Sequence, residues 1–148
     1  MIISLQPENI LIELLSPQEE AFKVALADFG CAQHIKGGAR RIRGLCGSTQ
    51  YRAPEVSSKH RYYPAPCDVW SLACINFVML NGSPPFEDTY QCPYFQLVKC
   101  GNWQQFWNSH EHISGRFIPM SAKSNFQRLL GPRAIHRPLI NELAQEII

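Results

Sequence analysis

Two oxygen-bearing side chains, Asn9 and Asp28, flank a pair of short apolar segments near the start of the chain. Residues 9–15 and 22–26 are apolar or alternate with polar residues, and the polar stretch 16–20 has the composition of a turn. We therefore predict a β-hairpin that brings the Asn9 amide and the Asp28 carboxylate towards one site. Carboxylate and amide oxygens suit a hard cation such as Mg²⁺. Each residue taken alone is equally typical of a turn.

Length, composition and charge are those of an ordinary globular chain. Its 148 residues are 45% hydrophobic and 18% charged, with a formal net charge of +2. This length is enough for one domain with a sizeable core. A nucleic-acid-binding domain would carry a larger and more clustered basic charge, and the longest apolar run, 69–80, is too short to cross a bilayer. We expect no nucleic-acid partner and no membrane anchor.

The cysteines and histidines show no metal-ligand or disulfide pattern. Six cysteines form no Cys-x-x-Cys pair, and the first residues lack a basic segment followed by a long apolar run. This favours buried or free thiols in a reducing compartment over a disulfide framework. We therefore expect an intracellular protein, cytoplasmic or nuclear. The five histidines lack the spacing of a metal site.

The second half of the chain predicts helices. Asp68 is a good N-cap for the run 69–80, and Asn81-Gly82 is a good helix end. Since this run is apolar nearly all round, we predict a buried central helix. Residues 31–52 sustain no hydrophobic period and are predicted to form a long loop. Shorter helices are predicted at 94–99, at 121–130 and, with Pro138 in the first turn, at 140–147.

Several motifs, in order along the chain, resemble the large lobe of eukaryotic-type Ser/Thr protein kinases. The resemblance implies an α+β, mainly α-helical fold in which the hairpin carries the metal-site residues, and a partial kinase domain over residues 1–148. The matching segments are Pro-Glu-Asn at 7–9, Asp-Phe-Gly at 28–30, Gly-Ser-Thr-Gln-Tyr-Arg-Ala-Pro-Glu at 47–55, Asp-Val-Trp-Ser at 68–71, Gly-Ser-Pro-Pro-Phe at 82–86 and Arg-Pro at 137–138.

The resemblance implies roles for individual residues. Asn9 and Asp28 match the positions that hold the metal ions on ATP, so ATP and Mg²⁺ are the implied cofactors. With Asn9 and Asp28, Leu11 is an implied nucleotide contact. A protein substrate or binding partner is also implied. The segment that seats the residues next to the phosphoacceptor corresponds here to Gly47, Ser48 and Tyr51.

Three further residues match structural positions of the family. Asp68 matches an Asp that caps the central helix and hydrogen-bonds to the catalytic-loop backbone. Arg137 matches an Arg that pairs with the Glu of Ala-Pro-Glu, here Glu55. We therefore predict a buried Arg137–Glu55 ion pair.

The resemblance fails at the catalytic loop. Counting back from Asn9, the position of the catalytic Asp holds Ser4 and the position of the Lys beside the transferred phosphate holds Gln6. The Arg and His positions before them hold Ile3 and Ile2. Loss of a positioned acid/base group typically costs about 10²–10⁴ in rate. No catalytic residue is therefore intact, and no Gly-rich loop or strand Lys of a small lobe is recognisable.

Three interpretations remain open. The chain is a Ser/Thr kinase whose catalytic loop and small lobe lie upstream of a misassigned start, or a pseudokinase-like module that binds proteins between Pro54 and the 83–120 region. The third interpretation is a degenerate gene-model fragment, with apolar surface exposed beside the 69–80 helix. By family the function is ATP-dependent phosphorylation of Ser/Thr. We expect the 148-residue chain itself to be deficient in phosphotransfer.

Overall fold

A computed structural model describes residues 5–16, 21–33, 41–58, 60–88 and 91–147. In these ranges a two-stranded antiparallel sheet precedes a group of helices, which confirms the mainly α-helical α+β architecture. None of the described helices is long and apolar enough to cross a bilayer. The strands are β1 (Ile10–Ser16) and β2 (Ala21–Leu26), and the helices are α1 (Ala65–Asn81), α2 (Pro93–Lys99), α3 (Trp103–Ser114), α4 (Met120–Leu129) and α5 (Ile140–Ile147).

The hairpin of β1 and β2 forms where it was predicted. Residues directly opposite each other share a face of the sheet, so one face is built entirely from apolar cross-strand pairs. At its inner end Ile10 packs against the helical core. The pairs on this face are Ile10–Leu26, Ile12–Val24 and Leu14–Phe22.

Helix α1 is the centre of the core, and its start corrects one prediction. It begins at Ala65, three residues before Asp68, because Pro66 is tolerated in a first turn, where its missing N–H is not needed. Asp68 is therefore not the N-cap but lies in the first turn, where a carboxylate complements the helix dipole. The predicted end is confirmed. Gly82 takes φ 83°, and its N–H donates to the Val78 carbonyl at 2.8 Å.

Helix α3 was not predicted. Its N-cap is Asn102, whose side chain accepts a hydrogen bond from the Gln105 backbone N–H at 3.3 Å. One narrow side is buried, carrying Phe106, Trp107 and His110. The remaining residues of the helix are mostly polar, so its sequence shows only a weak helical period.

The other helices need small corrections. Helix α2 covers the predicted 94–99 segment, and α4 covers most of 121–130. Pro138 is not in the first turn of α5, which begins at Ile140. The Glu142 side chain accepts the Leu139 N–H at 2.7 Å, which fixes the start of the helix after Pro138.

Aromatic side chains fill the space around α1. Trp70 stacks on Phe86 with ring centroids 5.4 Å apart, and Phe77 meets Phe126 edge to face at 5.3 Å. Trp70, Phe77 and Phe86 are fully buried. These contacts join α1 to α4 and to the segment after Gly82, so the helical body can hold the segments that carry the candidate site.

The expectation of thiols without disulfides is wrong for one pair of cysteines. Cys31 and Cys46 are disulfide-bonded, with their Cα atoms 6.0 Å apart. The chain returns on itself, so that the residue after Gly30 meets the residue before Gly47. The other four are free thiols. Burial raises the pKa of both the Cys67 and the Cys74 thiol.

Candidate functional site

The hairpin places Asn9 and Asp28 at the same end of the sheet. Asn9 ends a 3-10 turn directly before β1, and Asp28 follows the end of β2 by two residues. The Ala27 N–H donates to the Asn9 carbonyl at 2.8 Å, which extends the strand pairing to the level of both residues. The backbone arrangement predicted from the sequence is therefore present, while the metal-binding role remains a prediction.

Asp28 is held in an uncommon backbone conformation. Its φ is 56°, the left-handed region that Asp tolerates better than most residues. Its Oδ1 accepts the Gly30 N–H at 3.1 Å, and the residue is exposed. A Cβ on Gly30 would lie 3.1 Å from the same oxygen. The Asp-Phe-Gly sequence thus orients a carboxylate towards solvent at the end of the hairpin.

The side-chain oxygens of Asn9 and Asp28 are of the type that Mg²⁺ binds, and the magnesium site shared with a nucleotide remains a prediction. Within the described ranges no group of three or more His, Cys, Asp or Glu residues could hold a metal ion. A cation here would have to complete its shell with phosphate oxygens and water, and Mg²⁺ commonly binds in that way. Asn9 and Asp28 would hold the ion, which would neutralise charge on the phosphates.

Leu11 lies on β1 opposite Ala25 and is exposed. Its side chain points to the opposite face from Ile10 and Ile12, because strand side chains alternate. An exposed apolar side chain beside Asn9 is compatible with a wall of a nucleotide site. That role stays a prediction.

Gln6 contacts the segment that was predicted to dock substrates. The Ser48 hydroxyl donates a hydrogen bond to Gln6 Oε1. The position expected to hold a Lys therefore carries a neutral amide, whose oxygen is bonded to a hydroxyl. Ser4, Ile3 and Ile2 lie outside the described residues.

The docking segment is fixed to α1. Tyr51 is buried, and its carbonyl accepts the Ser71 hydroxyl of α1 at 2.8 Å. Gly47, with φ 85°, uses its carbonyl to accept from the Arg52 guanidinium. Burial, and then the nearby Glu8 carboxylate, raise the pKa of Tyr51, so its hydroxyl stays neutral. Gly47, Ser48 and Tyr51 thus lie on one anchored segment, as the motif predicts.

The predicted Arg137–Glu55 ion pair is confirmed. Two hydrogen bonds join the guanidinium and the carboxylate, at 2.6 and 2.9 Å. The Arg137 side chain is fully buried and that of Glu55 is 17% exposed. Arg137 also donates to the carbonyls of Gly131 and Pro66, and it lies 4.7 Å from the Trp70 ring centroid. This pair ties Glu55, four residues after Tyr51, to the C-terminal part of the chain.

Sequence reasoning missed two contacts at this site. The Gln6–Ser48 hydrogen bond joins residues 42 positions apart, and no spacing rule predicts it. The Cys31–Cys46 bond also has no sequence signature, since pairing cannot be deduced from cysteine positions alone. The one available signal was that Cys31 directly follows one predicted motif, 28–30, and Cys46 directly precedes another, 47–55.

Comparison with known proteins agrees with these motifs. The inactive serine/threonine-protein kinase PLK5 of Mus musculus is 30% identical over 142 residues, which are 96% of this chain and 21% of that protein. The ovarian-specific serine/threonine-protein kinase Lok of Drosophila melanogaster is 32% identical over 143 residues, 95% of this chain and 28% of that protein. The probable serine/threonine-protein kinase fhkE of Dictyostelium discoideum is 32% identical over 133 residues, 85% of this chain and 17% of that protein.

The chain therefore spans less than a third of each of these relatives. The family described as "Protein kinase domain" matches residues 3–146, nearly the whole chain. In this chain, the helical body, the hairpin and the Arg137–Glu55 pair correspond to the large lobe of that domain. The chain belongs to the protein kinase family, and its relatives here are Ser/Thr protein kinases.

Proposed function

We propose that residues 1–148 form a partial protein kinase domain that does not transfer phosphate itself and binds proteins through the docking segment, residues 47–51. The observation that carries this proposal is the hydrogen bond between Ser48 and Gln6. In a phosphotransferase, a cation at the Gln6 position would stabilise charge on the transferred phosphate. An amide oxygen bonded to a hydroxyl supplies no charge.

The sequence at the base position supports the same proposal. Ser4 is neutral and cannot accept a substrate hydroxyl proton as a carboxylate does. One relative is named as an inactive kinase, and two others are named as kinases without that qualification. The names of the relatives therefore do not decide activity, and the argument depends on Ser4 and Gln6.

A protein-binding role follows from the anchored docking segment. Thr49 and Gln50 are exposed, whereas Tyr51 holds the segment on α1. A protein partner can meet these exposed residues without any rearrangement of the core. Kinase membership makes a protein the expected partner. Four of the six cysteines are free thiols, which favours the predicted intracellular location, whereas the Cys31–Cys46 bond does not.

The direct test measures transfer of radiolabelled phosphate from ATP with Mg²⁺ to casein. We expect the 148-residue chain to give no more label than a heat-denatured sample. Label that disappears in Asp28→Ala would contradict the proposal. In the double variant Ser4→Asp with Gln6→Lys, new transfer would show that these two positions, rather than the fold, prevent the reaction.

The binding role is tested with arrays of Ser- and Thr-containing peptides. Gln50→Arg should change which peptides bind, since Gln50 is exposed on the docking segment. Gln127→Arg places the same charge on the exposed side of α4, away from the segment, and is the matched control. Equal effects of both variants, or no peptide binding by the unaltered chain, would count against a docking role.

A second candidate is a Ser/Thr kinase that uses these residues within a longer protein. The joint placement of Asn9 and Asp28 supports it, because a chain that never meets nucleotide needs neither residue there. Calorimetric titration with ATP, with and without Mg²⁺, separates the two candidates. Tight binding that needs Mg²⁺ and is lost in Asp28→Asn would favour the second one.

A further inference from the structure

We propose that Cys31 and Cys46 are a redox-sensitive modification site. In this proposal the two thiols form a disulfide by exchange with glutathione disulfide. The bond then fastens the turn that carries Asp28 to the docking segment. The inference goes beyond the proposed function, and it holds whether or not the chain transfers phosphate.

The placement of the two cysteines supports a specific pair. Cys31 directly follows Asp28-Phe29-Gly30, and Cys46 directly precedes Gly47. Their Cα atoms are 6.0 Å apart, within the usual range for a disulfide. Of the other cysteines, three are buried and one, Cys100, is exposed at the end of α2. Exposure alone does not determine which cysteines are bonded, because the exposed Cys100 is free. Cys31 and Cys46 are bonded because the fold brings them close together.

The Cys46 side of the bond is fixed to the helical body. Its carbonyl accepts from Arg52 Nε at 3.2 Å. Two residues earlier, the Gly44 carbonyl accepts the hydroxyl of the buried Tyr62 at 3.0 Å. Ile42 and Tyr62 also pair through both backbone hydrogen bonds. The backbone around Cys46 is therefore held in place by contacts other than the disulfide.

The Cys31 side belongs to the hairpin, which is less firmly attached. The strand residues from Leu11 to Leu15 are exposed, as are those from Phe22 to Leu26, whereas Ile10 packs against the core. Near Cys31 the Ala32 N–H donates to the Phe29 carbonyl at 2.9 Å, a hydrogen bond within the turn. The disulfide is thus a covalent link between the hairpin end and the helical body.

The exchange reaction balances without a further reactant. Cys46 is the more exposed thiol, so its thiolate attacks one sulfur of glutathione disulfide and displaces one glutathione thiolate. The Cys31 thiolate then attacks the Cys46 sulfur and displaces the second glutathione. The protein dithiol is oxidised by two electrons, and the glutathione disulfide is reduced to two thiols, which take up the two protons. Excess reduced glutathione reverses both steps.

The bond should slow opening of the Asp28 turn. Closing a loop of about 15 residues lowers the entropy of its open states, and the chain-entropy estimate corresponds to roughly a hundredfold change in equilibrium. We expect hydrogen exchange of the backbone amides at 27–33 to be up to this factor slower in the disulfide-bonded chain than in the reduced chain. Docking-segment amides, already anchored on α1, should change less.

The test equilibrates the 148-residue chain over a series of ratios of reduced to oxidised glutathione. After alkylation and digestion with trypsin, mass spectrometry should find one linked pair of peptides, residues 24–36 and 44–52, whose amount follows the ratio. Hydrogen exchange at 27–33 should slow as the pair forms. Cys100→Ser is the matched control and should keep both responses.

Two variants make the proposal falsifiable. Cys31→Ser should show the fast exchange of the reduced chain at every glutathione ratio. If Cys31→Ser does not fold, Cys46→Ser serves for the same measurement, since its side chain is exposed. The proposal is overturned if the linked peptides never form, if other cysteines link equally well, or if exchange at 27–33 is the same in both redox states.

Discussion

At the scale of single residues, the Arg137–Glu55 pair is the contact with the largest expected effect on stability. The guanidinium is fully buried and bonds to two backbone carbonyls as well as to Glu55. Glu55→Gln would leave this cation without its carboxylate in a poorly solvated place. We expect the free energy of unfolding to fall by about 3–5 kcal/mol, measured by urea denaturation followed by circular dichroism.

A matched control for this substitution is Glu87→Gln, since Glu87 is exposed after the end of α1. The control should change stability by less than about 0.5 kcal/mol. Arg137→Lys tests the geometry separately, because Lys keeps the charge but cannot form the two-pronged bond. A Glu55→Gln effect as small as that of Glu87→Gln would show that the pair does not stabilise the folded chain.

The residue scale also shows what the sequence could predict at the site. Asn9 and Asp28 were predictable because a hairpin brings the start of its first strand and the end of its second together. The Arg137–Glu55 pair was predictable because both residues match motif positions of the family. The Gln6–Ser48 hydrogen bond could not be predicted, because the long Gln6 side chain and the rotatable Ser48 hydroxyl can each find several partners. Nor could the disulfide, because its two cysteines meet only once the chain between them has folded back.

At the scale of elements, α3 carries a buried titratable group that makes stability depend on pH. His110 packs against the rings of Phe106 and Phe77, with centroids 4.4 and 4.9 Å away. Burial lowers the pKa of His110 from 6.5 to about 4, although its hydrogen bond to the Pro85 carbonyl acts in the opposite direction. The folded chain therefore keeps this imidazole neutral where the unfolded chain protonates it.

The sign of the effect follows from this difference. Between pH 6.5 and about 4 the unfolded state binds a proton that the folded state excludes, so acidification favours unfolding. We expect the free energy of unfolding to drop by roughly 3 kcal/mol over this window and to be insensitive to His110 above it. Denaturation with urea at a series of pH values measures the slope.

The neighbouring His112, exposed on the same helix, supplies the control. His110→Gln should flatten the slope between pH 4 and 6.5, even if it lowers stability at neutral pH. His112→Gln should leave the slope as it is. A slope that survives His110→Gln would assign the acid sensitivity to other groups, such as the Glu111–Lys123 pair.

Helices α1 and α3 show which helices can be predicted from the sequence and which cannot. Helix α1 was recognisable because it is apolar nearly all round and ends at a glycine with positive φ. Its start was misplaced because Pro66 was not recognised as a first-turn residue. Helix α3 was missed because it buries little more than Phe106, Trp107 and His110. A narrow buried stripe in a polar sequence leaves a weak periodic signal.

At the scale of the whole molecule, two places in the described part of the chain combine several uncovered apolar side chains. One is the apolar face of the hairpin. Its exposed side chains are between 41% and 77% accessible to solvent, and they are Ile12, Leu14, Phe22, Val24 and Leu26. The other is a cavity of about 530 Å³ between α1, α4 and α5, lined by Leu72, Met79, Leu129 and Leu143 among others.

Such surface should make the chain self-associate. Contiguous exposed apolar patches promote association between copies. Among the described residues, no further strand pairs with the outer edges of the hairpin, and such edges can pair with another chain. Leu14→Thr with Phe22→Thr removes a facing apolar pair and keeps residues that suit a strand. We expect this double variant to sediment mostly as monomer at concentrations where the unaltered chain forms larger species, as measured by sedimentation velocity.

A substitution at an isolated exposed residue tests whether the patch itself is responsible. Ile113 is 63% exposed on α3, away from the hairpin, so Ile113→Gln removes a similar amount of apolar surface elsewhere. If Ile113→Gln lowers association as much as the hairpin variant, general surface hydrophobicity is the cause. If neither variant changes it, association has to be assigned to the cavity between α1, α4 and α5. Met79→Gln, at an exposed position lining that cavity, then becomes the variant that should lower it.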